Sequence, residues 1–375
     1  MNQRVHFIDW MKAVGMLLIV IGHVIGSPDS LFNAVSAPLY TKQLGVAFFI
    51  FIIGWSLANE NRAPIRVVYN RIFPVYFYGI LAAMLLSLIF LFTKGDINES
   101  NYLPFFFGVN VFANAFPANT TTWYIGLYLH VLLFWYFVTQ QQTITLKHLA
   151  FSLIAEIVIR WLLMSLDRPF TAYMILPNWV TVFLLGSYLK THRDAPWQTR
   201  HTFLVFAWIM ALLLWAGLRS APHFNGKFPF RQSTDISLIC QSALISLMYL
   251  LNTFLFFEIA RRLPLPKIVA FFARNTLIIF IAHIPIIFEL AGWFYPFFND
   301  GDVKRVLLIV LLYVGLGVAS EYIQRVVPLV TLREWIWDKL ENSVLPTQLI
   351  RSQQTPKTHV KQPEHTPKRP TDPPQ

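Results

Sequence analysis

The chain has 375 residues, 55% of them hydrophobic, 16% aromatic and only 13% charged, with a mean hydropathy of +0.51. Soluble domains carry about 25% charged residues, so this composition excludes a soluble enzyme with one large core and points to an all-α, polytopic transmembrane bundle. The net charge of +11 is spread over short loops, which suits the positive-inside bias better than nucleic-acid binding, and the single cysteine, Cys240, excludes an intramolecular disulfide and a multi-cysteine metal site.

In chain order, apolar windows near membrane-spanning length predict ten spans: 7–25, 42–58, 72–92, 123–138, 148–166, 173–190, 202–219, 236–257, 268–291 and 304–326. The basic start and first apolar run have the outline of a signal peptide. Asp9 and Lys12 sit badly in such a segment, and more spans follow at once, so the run reads as the first span. Lys and Arg flank one side more heavily than the other (Arg4, Lys12, Arg62, Arg66 and Arg71 lead the heavier side), which places both termini in the cytoplasm.

The first span, "DWMKAVGMLLIVIGH", carries a polar stripe. Lys12 and His23 are three helical turns plus about 20° apart and roughly 16 Å along the axis, and Asp9 falls within about 40° of the same line. Running outward from the cytoplasm, this span puts Lys12 at the inner rim and His23 in the outer third. The ninth span also runs outward and brings His283 to a similar depth. The segment 102–116 is aromatic but short, hence interfacial or re-entrant rather than spanning. In the fifth span Glu156 and Arg160 lie one turn apart near mid-membrane, a structural or pore-lining ion pair. Of the arginines before the third span, Arg71 stands hardest against the membrane. After a membrane domain ending at 327, residues 328–350, which include "LREWIWDKLENSVL", predict an amphipathic surface helix. From 351 to 375 the chain is Pro-rich, basic and without apolar pattern, which predicts disorder. No Walker or dinucleotide-type glycine loop is visible.

These features resemble the acyltransferase-3 family of integral membrane enzymes that acylate glycans of bacterial surfaces. The likeness rests on an ordered set over roughly residues 4–327. It comprises Asp9-Trp10 with the Lys12-to-His23 spacing, "GVAFFIFIIGW", "RIFPVY" from Arg71, "WYIGLYLHVLLFWY", and "ARNTLIIFIAHIP" with its histidine. The pattern departs at Val68, where the family often has an arginine, and at Ile53, commonly serine.

The resemblance implies a multi-pass enzyme of the bacterial cytoplasmic membrane. It would move an acetyl or other short acyl group from acyl-CoA, most simply acetyl-CoA, to a hydroxyl of a cell-envelope sugar or a lipid-linked glycan, without a metal. The CoA phosphates are then expected at the inner rim against Lys12 and Arg71, with Arg274 a third candidate. His23 acts as general base or accepts the acyl group itself. His283 polarises the thioester carbonyl or holds the acceptor, and Asp9 pairs with Lys12. This reading expects the inner cations and His23 to line one continuous channel. The alternative is a transporter of a glycolipid or small solute, with His23, His283 and Glu156 as a proton relay.

Overall fold

The computed structural model describes residues 5–24, 41–95, 102–113, 115–116, 120–192, 205, 209, 235–287 and 302–343, and among these no strand occurs. The expected span 202–219 and the tail 351–375 lie outside the described residues, apart from positions 205 and 209. The chain divides into two units, Met1–Leu329 and Val330–Gln375.

Helix α1 is His6–Val24, α2 Thr41–Leu57 and α3 Pro64–Lys94. A short α4, Tyr102–Phe106, lies in the segment expected not to span. Helix α5, Trp123–Phe134, runs on through a π-helical turn, Trp135–Thr139. Then come α6 (Leu146–Ser165), α7 (Pro169–Met174), α8 (Val180–Thr191), α9 (Asp235–Ala260), α10 (Lys267–Pro285) and α11 (Asp302–Val326). Helix α12, Leu329–Ser343, lies in the stretch where the sequence predicts a surface helix. Six of these helices are long and apolar enough to cross a membrane, and Lys42–Leu57 and Trp123–Thr139 are shorter apolar helices.

One expected span is not a single helix. In place of a continuous 173–190, α7 ends at Met174, a 3-10 turn covers Leu176–Trp179, and α8 begins at Val180. Pro177 has no N–H to give the carbonyl of Tyr173 four residues back. The Trp179 indole takes over, donating from Nε1 to that carbonyl at 3.0 Å.

Burial sorts the helices. Helices α9 and α10 are largely enclosed, whereas α3, α6 and α11 turn Phe92, Phe151, Leu311 and Tyr322 outward. Such an apolar exterior is costly in water and natural against lipid tails.

Helix α2 is sandwiched between α1 and α8, and its two glycines allow it. Gly45 and Gly54 are nine residues apart, which at about 100° per residue puts them on opposite faces. A Cβ on Gly45 would lie 2.4 Å from the Gly15 carbonyl oxygen of α1, and one on Gly54 2.0 Å from the Phe183 carbonyl oxygen of α8. Gly186 returns the second contact: its Cβ would sit 2.2 Å from the Phe51 carbonyl oxygen. Small residues that let backbones approach are a principal device of helix association in membranes, and Ser187 adds a hydrogen bond to the Gly54 carbonyl at 3.0 Å.

Gly54→Ala is therefore expected to lower the thermal unfolding midpoint of the detergent-purified protein, overpacking of this kind costing about 1–3 kcal/mol. Gly315→Ala, whose added Cβ meets nothing within 4 Å, is the matched control and leaves the midpoint unchanged.

Candidate functional site

Lys12 and Arg71, separated by 59 positions, line one cavity of about 470 Å³, within the usual range for small-molecule sites. Its walls come from α1 (Ile8, Lys12), α2 (Phe49 to Ser56), α3 (Arg71, Pro74, Val75), α5 (Tyr124, Tyr128) and α10 (Thr276, Leu277, Phe280). The helix directions give the cavity two ends. Lys12, Ser56 and Arg71 mark its mouth, where Arg71 lies beside the Tyr128 hydroxyl. Glu60, in the loop outside the mouth, is clamped by Arg62 through Nε at 2.9 Å and Nη2 at 2.6 Å. That pairing holds the Glu60 carboxyl down at about 2, so it is anionic at any physiological pH.

The far end is aromatic. Phe49 and Tyr124 have ring centroids 6.5 Å apart, and Tyr124 and Phe280 4.8 Å. Behind this collar sit the two histidines. His283 on α10 is fully buried, and its Nε2 is 3.2 Å from Nδ1 of His23 on α1. The expectation that His23 would line the same cavity as the cations is corrected: His23 is not among the lining residues, and the cavity ends at Phe280, whose ring is 5.7 Å from the His283 ring.

The carbonyl contacts assign the tautomers. A carbonyl oxygen only accepts, so His283 Nδ1, 2.6 Å from the Phe280 oxygen, carries a proton, and its Nε2 is an acceptor. His23 Nδ1 faces that acceptor and also the Ile19 oxygen at 2.9 Å, so it too carries a proton. The lone pair of a neutral His23 is then on Nε2. Both nitrogens of His283 are thus engaged, Nδ1 with the Phe280 carbonyl and Nε2 with His23.

The remaining candidates fall elsewhere. Glu156 and Arg160 form an ion pair at 2.7 Å within α6, and its hydrogen bonds tie α6 to α9. Arg160 Nη1 donates to the Ser242 carbonyl at 2.8 Å and to Ser246 Oγ at 2.7 Å, and Nη2 also meets the Tyr249 hydroxyl. Ser246 and Tyr249 donate to Glu156 Oε1 at 2.6 and 3.0 Å. None of these residues lines the cavity, and the pair works as a clamp between helices. Arg274 does not line the cavity either; it turns to α11, 4.0 Å from Glu321. Asp9 is buried one turn before Lys12, and the adjoining Trp10 anchors α1 by donating Nε1 to the Pro264 carbonyl at 2.9 Å. Phe49 and Phe280 of the collar, and Lys42, close enough to His23 for their charges to interact, were not singled out from the sequence.

A family profile described as an acyltransferase domain matches residues 5–322, most of the chain and every helix of this site. The chain belongs to the acyltransferase-3 family. No curated protein and no solved structure matches it. This membrane acyltransferase keeps its cations, collar and histidine pair on the helices that carry the motif set, α1, α2, α3, α5 and α10.

If the Glu156–Arg160 pair is only a clamp, Arg160→Met destabilises the acyltransferase by about 3–5 kcal/mol, because Glu156 is left buried without its counter-charge. Thermal unfolding of Arg160→Met and of the double variant Glu156→Gln/Arg160→Met checks this. The double variant recovers stability, and both keep the wild-type KM for the acyl donor.

Proposed function

We propose that this acyltransferase transfers an acetyl or other short acyl group from cytoplasmic acyl-CoA to a sugar hydroxyl of a cell-envelope glycan at the bacterial cytoplasmic membrane. The observation that carries the reading is the contact between His23 and His283 just beyond a cavity with two cations at its mouth; with Nδ1 of His23 against the Ile19 carbonyl, Nε2 is the nitrogen left to act as base.

The CoA phosphates bind Lys12 and Arg71, a point-charge ammonium and a planar guanidinium suited to phosphate oxygens. The pantetheine arm occupies the apolar cavity between α1, α2, α3, α5 and α10. For the thioester to reach His23, the Phe280 ring must swing aside, a side-chain rotation rather than a helix movement. The acceptor hydroxyl then attacks the thioester carbon. Its proton passes to His23 Nε2, a carbon–oxygen bond forms, and the carbonyl electrons move onto oxygen. When the carbonyl re-forms, the carbon–sulfur bond breaks, and the departing sulfur takes the proton from His23. The products are a sugar ester and free CoA. During this cycle the His23 imidazolium donates from Nδ1 to His283 Nε2, so His283 steadies the charge without exchanging a proton. A direct transfer needs no acyl-histidine intermediate, and general-base assistance of this kind contributes about 10²–10⁴ in rate.

The transporter alternative needs Glu156 in a relay with the histidines. Its Oε1 is instead bound to Arg160, Ser246 and Tyr249 in a separate network on α6 and α9.

Acyl transfer from radiolabelled acyl-CoA by the purified protein tests the proposal. His23→Gln drops kcat by at least about 10²-fold with expression intact. Lys12→Gln raises the donor KM and leaves kcat near wild type. Full turnover in His23→Gln would remove the base from the mechanism, and an unchanged donor KM in Lys12→Gln would remove the phosphate site.

A further inference from the structure

The geometry points to Lys42 as the cation that stabilises the oxyanion formed when the thioester carbonyl is attacked. This rests on the acyl-CoA reading above and extends it to a residue outside the CoA cavity.

The packing of α1 against α2 sets the position of Lys42. The two helices run antiparallel, with Gly45 of α2 pressed against Gly15 and Ile19 of α1: its added Cβ would fall 2.6 Å from Ile19 Cγ1. One turn back along α2 from Gly45 is Lys42, and one turn on along α1 from Ile19 is His23. In antiparallel helices those steps lead the same way, so the lysine and the histidine arrive at one level. At that level the two are close enough for their charges to interact. Lys42 is only partly exposed, and among the described residues it has no hydrogen bond or ion pair.

Among the described residues no anion pairs with this ammonium near the His23–His283 pair. The reaction supplies one. As the hydroxyl proton goes to His23 Nε2 and the carbon–oxygen bond forms, the carbonyl electron pair comes to rest on the thioester oxygen, and an N–H of Lys42 donates to it. When the oxygen gives its electrons back and the carbon–sulfur bond breaks, Lys42 is again unpaired. A cation whose interaction exists chiefly in the transition state raises kcat rather than substrate affinity. A donor pre-placed in a water-poor site is worth about 10²–10³ in kcat.

The test is steady-state kinetics of Lys42→Gln and Lys42→Arg in nanodiscs, with radiolabelled acyl-CoA and a glycan acceptor, each variant first checked for wild-type thermal unfolding. Lys42→Gln is expected to lose about 10²-fold or more in kcat with the KM of both substrates unchanged, and Lys42→Arg to regain a large part of the loss by restoring a cation. Wild-type kcat in Lys42→Gln overturns the assignment and leaves the lysine an interfacial charge. A loss confined to the acceptor KM overturns it in favour of acceptor binding, and a loss that Arg does not relieve, with a lowered unfolding midpoint, overturns it in favour of packing. Absence of any transfer from acyl-CoA by the wild type is the separate failure of the acyl-CoA reading, and it removes this inference as well.

Discussion

Hydrocarbon offers a polar side chain no water, so an ionisable group inside a membrane bundle is costly unless it is paired or put to use. That constraint produces two kinds of solution. Glu156 and Arg160 are closed into a network with Ser242, Ser246 and Tyr249 that holds α6 to α9 through Glu156 Oε1, while Oε2 has no hydrogen-bond partner. His23 and His283 are joined just as firmly, yet the bond between them leaves one nitrogen, His23 Nε2, unspent. The same physics that makes a clamp in one place leaves a base in the other.

Helix α1 is where these constraints meet. It packs on α2 through Gly15 and Gly45, receives a hydrogen bond from the Tyr313 hydroxyl of α11 at its Ala13 carbonyl (2.7 Å), and holds the loop before α10 through Trp10. A helix fixed on so many sides keeps the roughly 16 Å between Lys12 and His23 as a rigid interval. The phosphate-binding mouth and the reacting end thus stand a set distance apart. The glycine-flanked aromatic run of α2 acquires a physical meaning from the same packing. One glycine faces α1, the other faces α8, and the aromatic residues between them supply Phe49 to the collar.

Much of this was legible in the sequence, for identifiable reasons. The Lys12–His23 stripe lies on one helix, where spacing converts directly into geometry. The depth of His283 follows from counting spans, and the i,i+4 spacing of Glu156 and Arg160 gives their pairing. Other features depend on contacts between distant segments. Phe49, Tyr124 and Phe280 look like ordinary apolar positions in three separate helices, and only their meeting makes a collar. Arg274 carries the right charge at the right depth, but α10 turns it toward Glu321. Lys42 reads as an interfacial charge at the end of a span until the glycine contact fixes its level. The break at Pro177 did have a local signal, since a proline inside an apolar window removes a helical hydrogen bond.

The central claim is that an acyl-CoA lies in the cavity with its phosphates at Lys12 and Arg71 and its acyl end against the collar. Photolabelling tests it most directly, using an acyl-CoA analogue with a diazirine at the acyl terminus, in nanodiscs, with adducts mapped by peptide mass spectrometry. The account predicts adducts at Tyr124, Phe280 and the adjoining residues of α1 and α10, abolished by excess unlabelled CoA. Adducts confined to the lipid-facing sides of α3, α6 or α11, or labelling that CoA does not displace, would contradict it.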